Sequence, residues 1–283
     1  MTPKKKLVRQ TMSNTRQIIP ARDRQLKNHI SMRQVIHDSL VMAYRAIRKM
    51  RRNPEQFSDV TIQPIIFTLM FTYIFGGAIA GNVHSYLPII IPGILAMTVL
   101  TTSLVTGVQI REDMDKGVFN RFRSMPMSRI APLTGALLAD VIRYGIATVL
   151  TLLMGYILGW RPGGGFGYLV IGALLTIVVA WCISWIFAFI GMIARTSSSV
   201  QGIAFLVLFP LTFLSNAFIP VKTLPGWLQA FVKVNPISHL VSAVRELANQ
   251  GVIGHDFWYC ILGAAIIVAV FAPLTVRAYM RKA

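Results

Sequence analysis

Charge is what this chain of 283 residues has least of: 13% of its residues are Asp, Glu, Lys or Arg, where a soluble globular domain carries about 25%. That excludes an ordinary water-facing surface and a disordered chain. Acidic residues are scarcest, 10 against 28 Lys and Arg. Cysteine occurs twice, as Cys182 and Cys260, each inside an apolar run. This excludes a disulfide framework and any metal-spaced pair, and it leaves membrane burial of two small thiols. There is no G-x-x-x-x-G-K-[ST] phosphate loop, because Gly163-Gly164-Gly165 opens no Lys-Ser/Thr pair. No H-E-x-x-H or G-x-S-x-G occurs either, so neither ATP hydrolysis by a phosphate loop nor those two hydrolase chemistries is expected. No apolar core follows Lys4, Lys5 and Lys6, so a cleavable leader is not expected.

What is present is hydrophobicity: 54% of residues and a mean hydropathy of +0.60. A net charge of +18 on so few charged residues must be concentrated. In a soluble chain it would point to nucleic acid. Here the expected polyanion is the lipid headgroup surface, with no nucleic acid. Six apolar segments, about 60–80, 87–109, 132–158, 168–193, 201–219 and 257–276, are each near the roughly 20 residues that span a bilayer. They must be helices, because lipid offers the backbone no hydrogen-bond partner. The expected fold is therefore all-α and polytopic, with six transmembrane helices.

Cations set the orientation. Residues 1–52 hold 14 Lys and Arg, the connection after the second span holds Arg111, Lys116, Arg121, Arg123 and Arg129, and the last helix ends in Arg277, Arg281 and Lys282. The other side has only Arg161, Lys222, Lys233 and Arg245. Both termini are thus expected in the cytoplasm, with Trp160, Trp227 and Trp258 as anchors at the outer interface. Residues 1–30 read as a basic disordered tail. In 31–52, Met32, Val35, Ile36, Leu40, Ala43, Ile47 and Met50 recur at helical spacing among basic residues. This is an amphipathic helix, lying in the membrane interface or packed on a partner. Residues 53–283 form the transmembrane domain, with two long connections, 110–131 inside and 220–256 outside. Length beyond a minimal turn usually carries function.

The inner loop places Glu112, Asp113 and Asp115 before Arg121, Arg123 and Arg129, an order that suits a helix macrodipole. Val118, Phe119, Phe122 and Met125 supply an apolar face, and Pro126 stops it. Such a helix either plugs into a groove on a partner or lies on headgroups. The run Asp113…Lys116-Gly117…Arg121-Phe122-Arg123-Ser124-Met125-Pro126-Met127-Ser128-Arg129 resembles the cytoplasmic loop of ABC-2-type transporter permeases of the daunorubicin-resistance type. Two further motifs match: Arg195-Thr196 before the fifth span, and Leu214-Ser215-Asn216-Ala217-Phe218-Ile219-Pro220 with Leu224-Pro225-Gly226-Trp227-Leu228-Gln229 and Asn235-Pro236. The resemblance covers about residues 31–280.

The resemblance implies a half-transporter that dimerises with a second copy or a homologous permease. It also implies partnership with separate ATP-binding cassette subunits, which bind ATP and Mg; this chain itself carries no cofactor. It makes the inner loop a coupling helix, with Asp113, Lys116, Gly117, Phe119, Arg121, Phe122, Arg123, Met125, Pro126 and Arg129 as its contact surface on the ATPase. The helix 31–52 becomes an interface helix beside the same ATPase. The outer segment becomes a pair of re-entrant helices.

From the residues alone, the outer segment reads as two short helices, the second capped by Asn235 with Pro236 at its first position. His239, Arg245 and Glu246 are its polar marks, and Arg245 and Glu246 read either as a solvated face or, as the resemblance implies, as part of the segment that closes the outer end of the path. Trp181, Trp185 and Phe189 repeat every fourth residue, as do Phe205, Phe209 and Phe213, with Asn216 after them. These stripes are ordinary packing or the wall of a substrate path for a flat amphipathic drug or a lipid. Asp140 and Arg143 pair with each other or serve a gate. Gly155-x-x-x-Gly159 could permit close helix approach. The expected function is a plasma-membrane permease, bacterial in character, that moves a hydrophobic drug or lipid-like molecule outward by alternating access. Polysaccharide or glycolipid export, an ion-coupled carrier and a transport-free sensor subunit are the alternatives.

Overall fold

A computed structural model describes residues 32–282 except 53, 119–126, 129, 219–220 and 222–223; at 55–57, 59, 78–80 and 282 only the backbone is described. All contacts below lie within the unit Arg33–Ala283. The described residues form helices α1 (Met32–Arg52), α2 (Pro54–Ala80), α3 (Val83–Asp115), α4 (Ala131–Ile157), α5 (Phe166–Ile193), α6 (Ser197–Phe213), α7 (Gly226–Val234), α8 (Pro236–Gln250) and α9 (His255–Lys282), with no strand among them. Five of these, α2, α3, α4, α5 and α9, are long and apolar enough to cross a bilayer. The fifth expected span, 201–219, is shorter than predicted: α6 has 17 residues and stops at Phe213.

Helix α3 is the hub and packs against α2, α4, α5, α6 and α8. Asn82 caps it, accepting from the Ser85 N–H at 2.7 Å. Its 33 residues run about 50 Å at 1.5 Å per residue, well beyond the roughly 30 Å of hydrocarbon. The start of the expected inner loop is therefore the continuation of this helix. Glu112, Asp113 and Asp115 lie at its C-terminal end, which reverses the macrodipole argument, since anions are disfavoured there.

The close approaches are backbone to backbone. At the α3–α5 crossing, a Cβ on Gly107 would collide with the Phe187 carbonyl, and one on Gly191 with the Gly107 carbonyl. The GxxxG reading of Gly155 and Gly159 does not hold. Gly155 does press on Ile91, but Gly159 lies in the turn after α4 at φ +100°. Gly163-Gly164-Gly165 serves packing as well: a Cβ on Gly164 would strike the Leu247 carbonyl, and its N–H donates to Ala248 O at 2.9 Å.

The main core joins α3, α5 and α8 around Tyr86, Leu87, Ile90, Ile94, Leu240 and Leu247. A second cluster, around Leu133, Leu137, Trp185, Met192 and Tyr279, sits nearer α1. Trp160 belongs to the first core and is buried, with its indole N–H on Asn249 Oδ1 at 3.3 Å. Only Trp227 and Trp258 of the three expected anchors are exposed. Both cysteines are buried free thiols.

Candidate functional site

Contacts define two ends of the bundle. At the α1 end, α1 lies along α4. A Cβ on Gly135 would meet Met42 and the Ser39 carbonyl, and the Ser39 and Thr134 hydroxyls are 2.7 Å apart. Asp38 accepts from the Ser128 N–H at 2.9 Å. The apolar stripe read from the sequence divides. Ala43 and Met50 are buried, while Ile36 and Leu40 face outward with Val41 and Tyr44. Arg48 lies 4.7 Å above the Tyr44 ring. The result is an exposed face, both apolar and cationic, that the bundle leaves unpartnered.

The acidic end of α3 is held by cations. Lys49 of α1 bonds Asp113 at 3.0 Å. Lys116 reaches Glu112 at 3.3 Å. Arg111 pairs with Asp115 and donates to the Ala194 carbonyl at 2.9 Å, which caps the end of α5. Gly117, at φ +63°, turns the chain out of α3. Thus Asp113, Lys116 and Gly117 sit at one place beside α1. The other contact residues expected on the loop, Phe119, Arg121, Phe122, Arg123, Met125, Pro126 and Arg129, lie outside the described residues.

At the opposite end α8 is stitched to α3. Pro92 has no N–H to give Pro88 O, and Asn249 Nδ2 supplies that bond at 2.9 Å. Arg245 Nη2 donates to Ile89 O at 3.0 Å and to Asn216 O at 2.9 Å. The expectation that Arg245 is solvated fails: its guanidinium turns inward onto these two carbonyls. Asn235 caps both ways: Oδ1 accepts from the Ile237 N–H at 2.9 Å, and Nδ2 donates to Leu211 O at 2.7 Å. His239 Nδ1 and Asp256 Oδ1 are 2.6 Å apart. Burial, and then the Asp256 carboxylate, push Glu246 above the usual carboxylate range, with His255 opposing.

The two aromatic stripes do not line one wall. Trp185 is buried in the second core, Trp181 meets it edge-on at 5.9 Å, and Phe189 packs on Phe271 of α9 at 6.1 Å. Thr275 of α9 donates to the Trp185 carbonyl at 3.1 Å. Phe205, Phe209 and Phe213 instead face α2. Phe213 stacks on Phe209 at 4.3 Å and on Phe218 at 5.3 Å, and Phe218 stacks on Phe71 at 4.8 Å. With Phe67 and Met97, the α6 stripe lines a groove of about 200 Å³. Asn216 turns away from it and bonds Ser242 at 2.7 Å. Sequence reading passed over Phe67, Phe71 and Phe75, which repeat every fourth residue on α2 by the same spacing rule.

Asp140 and Arg143 are buried and paired at 2.7 Å, and Thr106 of α3 donates to the second Asp140 oxygen at 2.6 Å. The pairing reading of these two residues is therefore the one the structure supports.

Comparison with known sequences decides the family. The profile of the ABC-2 type transporter family matches residues 38–248. The chain belongs to that family. It is 42% identical, over 86% of either chain, to the daunorubicin resistance ABC transporter permease protein DrrB1 of Streptomyces coeruleorubidus. It is 24% identical, over 86% of this chain and 89% of the relative, to a probable doxorubicin resistance ABC transporter permease protein, DrrC, of Mycobacterium tuberculosis. A putative transport permease of Cyanophora paradoxa, ycf38, is 25% identical over 79% of this chain and 76% of its own. With its five long apolar helices, this ABC-2 permease is a multi-pass membrane protein and a transport subunit.

Proposed function

We propose that the permease moves a hydrophobic drug or lipid-like molecule outward by alternating access, driven by separate ATP-binding cassette subunits. The observation that carries this reading is the 42% identity to a permease named for daunorubicin resistance, joined to an aromatic groove on α2 and α6. In this reading α6 and the turn 214–218 complete a sixth crossing. The α1 end and both termini face the cytoplasm, and α7–α8 lie at the outer leaflet. Two permeases, identical or homologous, form the path.

The drive enters at the α1 end. The partner ATPases bind ATP and Mg and close. They press on the segment 119–126 and on the exposed face of α1, and α3 carries the push. Lys49–Asp113 and Arg111–Ala194 tie α1 and α5 to the same helix end, so one displacement reaches several spans. ATP binding at the partner shifts the population between inward- and outward-open states, and this chain performs no covalent chemistry.

The test is co-purification of a cassette ATPase with the tagged permease, together with ATP-dependent efflux in vesicles. Phe122→Ala with Met125→Ala is expected to reduce ATPase capture and efflux at least fivefold at unchanged membrane abundance. Unchanged capture would refute the coupling role. Uphill transport by the permease alone on an ion gradient would refute the ATP-driven reading.

A further inference from the structure

A crevice of about 50 Å³ lies between α1, α3 and the start of α4. One water needs roughly 10–15 Å³ of such space, so the crevice takes a single small group of a few heavy atoms. Helix α3 sets its level. Gln109 and Ile110 end the apolar run, and Asp113 lies in the charged turn that follows. Such a boundary marks the passage from hydrocarbon to headgroups. Met42, Ile110 and Leu133 supply apolar walls, and Arg45 and Lys49 of α1 line the same crevice.

Three features of this lining favour an anion. The first is charge. The last two turns of α1 carry Arg45, Arg48, Lys49, Arg51 and Arg52. The end of α3 brings Glu112, Asp113 and Asp115, but Lys116 and Arg111 already pair with the first and last of these. The cations of α1 are thus set against Asp113 alone. The second is donor supply. Lys49 gives Asp113 one bond at 3.0 Å, and an ammonium has further donors. Gln109 Nε2 is buried and has no acceptor among the described residues, which is costly unless something accepts from it. The third is the start of α4. Pro132 and Leu133 of its first turn line the crevice, and Ile130 at the cap position has no side-chain acceptor for it. A helix N-terminus carries partial positive charge and exposed N–H groups that attract anions.

We propose that the crevice binds one anionic phospholipid, whose phosphate is held by Arg45, Lys49 and Gln109 and whose glycerol end follows the apolar walls toward the hydrocarbon. The occupant is a lipid because cations and apolar walls meet at the depth where lipid phosphates already lie. By helical spacing, Met42, Arg45 and Lys49 lie on the opposite side of α1 from exposed Ile36, Leu40 and Tyr44. The lipid therefore leaves the outward face of α1 open to a partner, and it ties α1 to α3 and α4. This site goes beyond the export reading and needs only a membrane-embedded chain.

The experiment is native mass spectrometry of the delipidated full chain in detergent. It is titrated with phosphatidylglycerol or phosphatidylcholine of the same acyl chains. Phosphatidylcholine carries its own ammonium beside the phosphate and is the neutral control. The first phosphatidylglycerol is expected to bind about tenfold tighter than the first phosphatidylcholine. Arg45→Gln and Gln109→Leu should each shrink that preference roughly threefold or more. Gln109→Leu changes no charge and removes a buried unpaired donor, so its fold is kept. Arg52→Gln removes a charge from the same helix outside the crevice and should leave the preference unchanged. Equal affinity of the two lipids, an unchanged preference in Gln109→Leu, or equal losses from Arg45→Gln and Arg52→Gln overturns the proposal, the last by reducing it to diffuse surface attraction. Inorganic phosphate in large excess should leave the bound lipid in place. Displacement of the lipid would assign the crevice to a free oxyanion and overturn the lipid site.

Discussion

Gly191→Ala tests the α3–α5 crossing directly. A Cβ at Gly191 would overlap the Gly107 carbonyl oxygen and stand 3.1 Å from the carbonyl carbon and Cα. All three atoms are backbone, so no side chain can swing aside. Helix α3 cannot retreat either, because α2, α4, α6 and α8 pack around it. The helices must separate along a buried seam. Overpacking of this kind costs about 1–3 kcal/mol, against a gain of roughly 0.5–1 kcal/mol for replacing a helical glycine by alanine. The net loss is about 1–2 kcal/mol. At roughly 2–4 °C per kcal/mol for a chain of this order, Tm should fall by about 2–8 °C. Gly145→Ala is the control. It lies in α4 with nothing within 4 Å of an added Cβ, so only the propensity gain applies and Tm should rise slightly. Thermal unfolding in detergent, followed by tryptophan fluorescence, gives both values. A Tm for Gly191→Ala at or above wild type would refute the inference that the crossing depends on two bare backbones.

Two further predictions use the buried charges. Arg143→Met leaves Asp140 unpaired among apolar helices, which should cost about 3–5 kcal/mol, and Asp140→Leu added to it should recover most of the loss; failure of that rescue in the same thermal assay would contradict a pairing role. Glu246 is shifted upward, so the folded chain holds its proton more tightly than the unfolded chain. Its contribution is present below the ordinary glutamate value of about 4.3 and is lost as pH rises through the raised one. Glu246→Gln, neutral at every pH, should therefore raise Tm at pH 7 and leave it unchanged near pH 4; an equal shift at both would refute the electrostatic cause.

Local signals read correctly. Helices appear where the apolar segments lie, the Asn235–Pro236 start bonds as its chemistry requires, and Asp140 reaches Arg143 one turn away. Errors appear where distant parts of the chain meet. The acidic end of α3, which runs beyond its apolar stretch, is tied to α1 by Lys49 on Asp113 and to the end of α5 by Arg111 on the Ala194 carbonyl. The inward turn of Arg245 depends on the Ile89 carbonyl of α3 and the Asn216 carbonyl after α6.

Hydropathy and cation placement by themselves determined a helical membrane chain and the rough position of its helices, because lipid forces each span to satisfy its own backbone. Which faces look inward was decided only by the tertiary structure. In water an apolar stripe identifies the core, but a bilayer is as apolar as a protein interior. Buried Trp185 and exposed Phe209 thus carry the same signature in the sequence. Only helix contacts, set by bare glycine backbones and stray carbonyls, tell them apart.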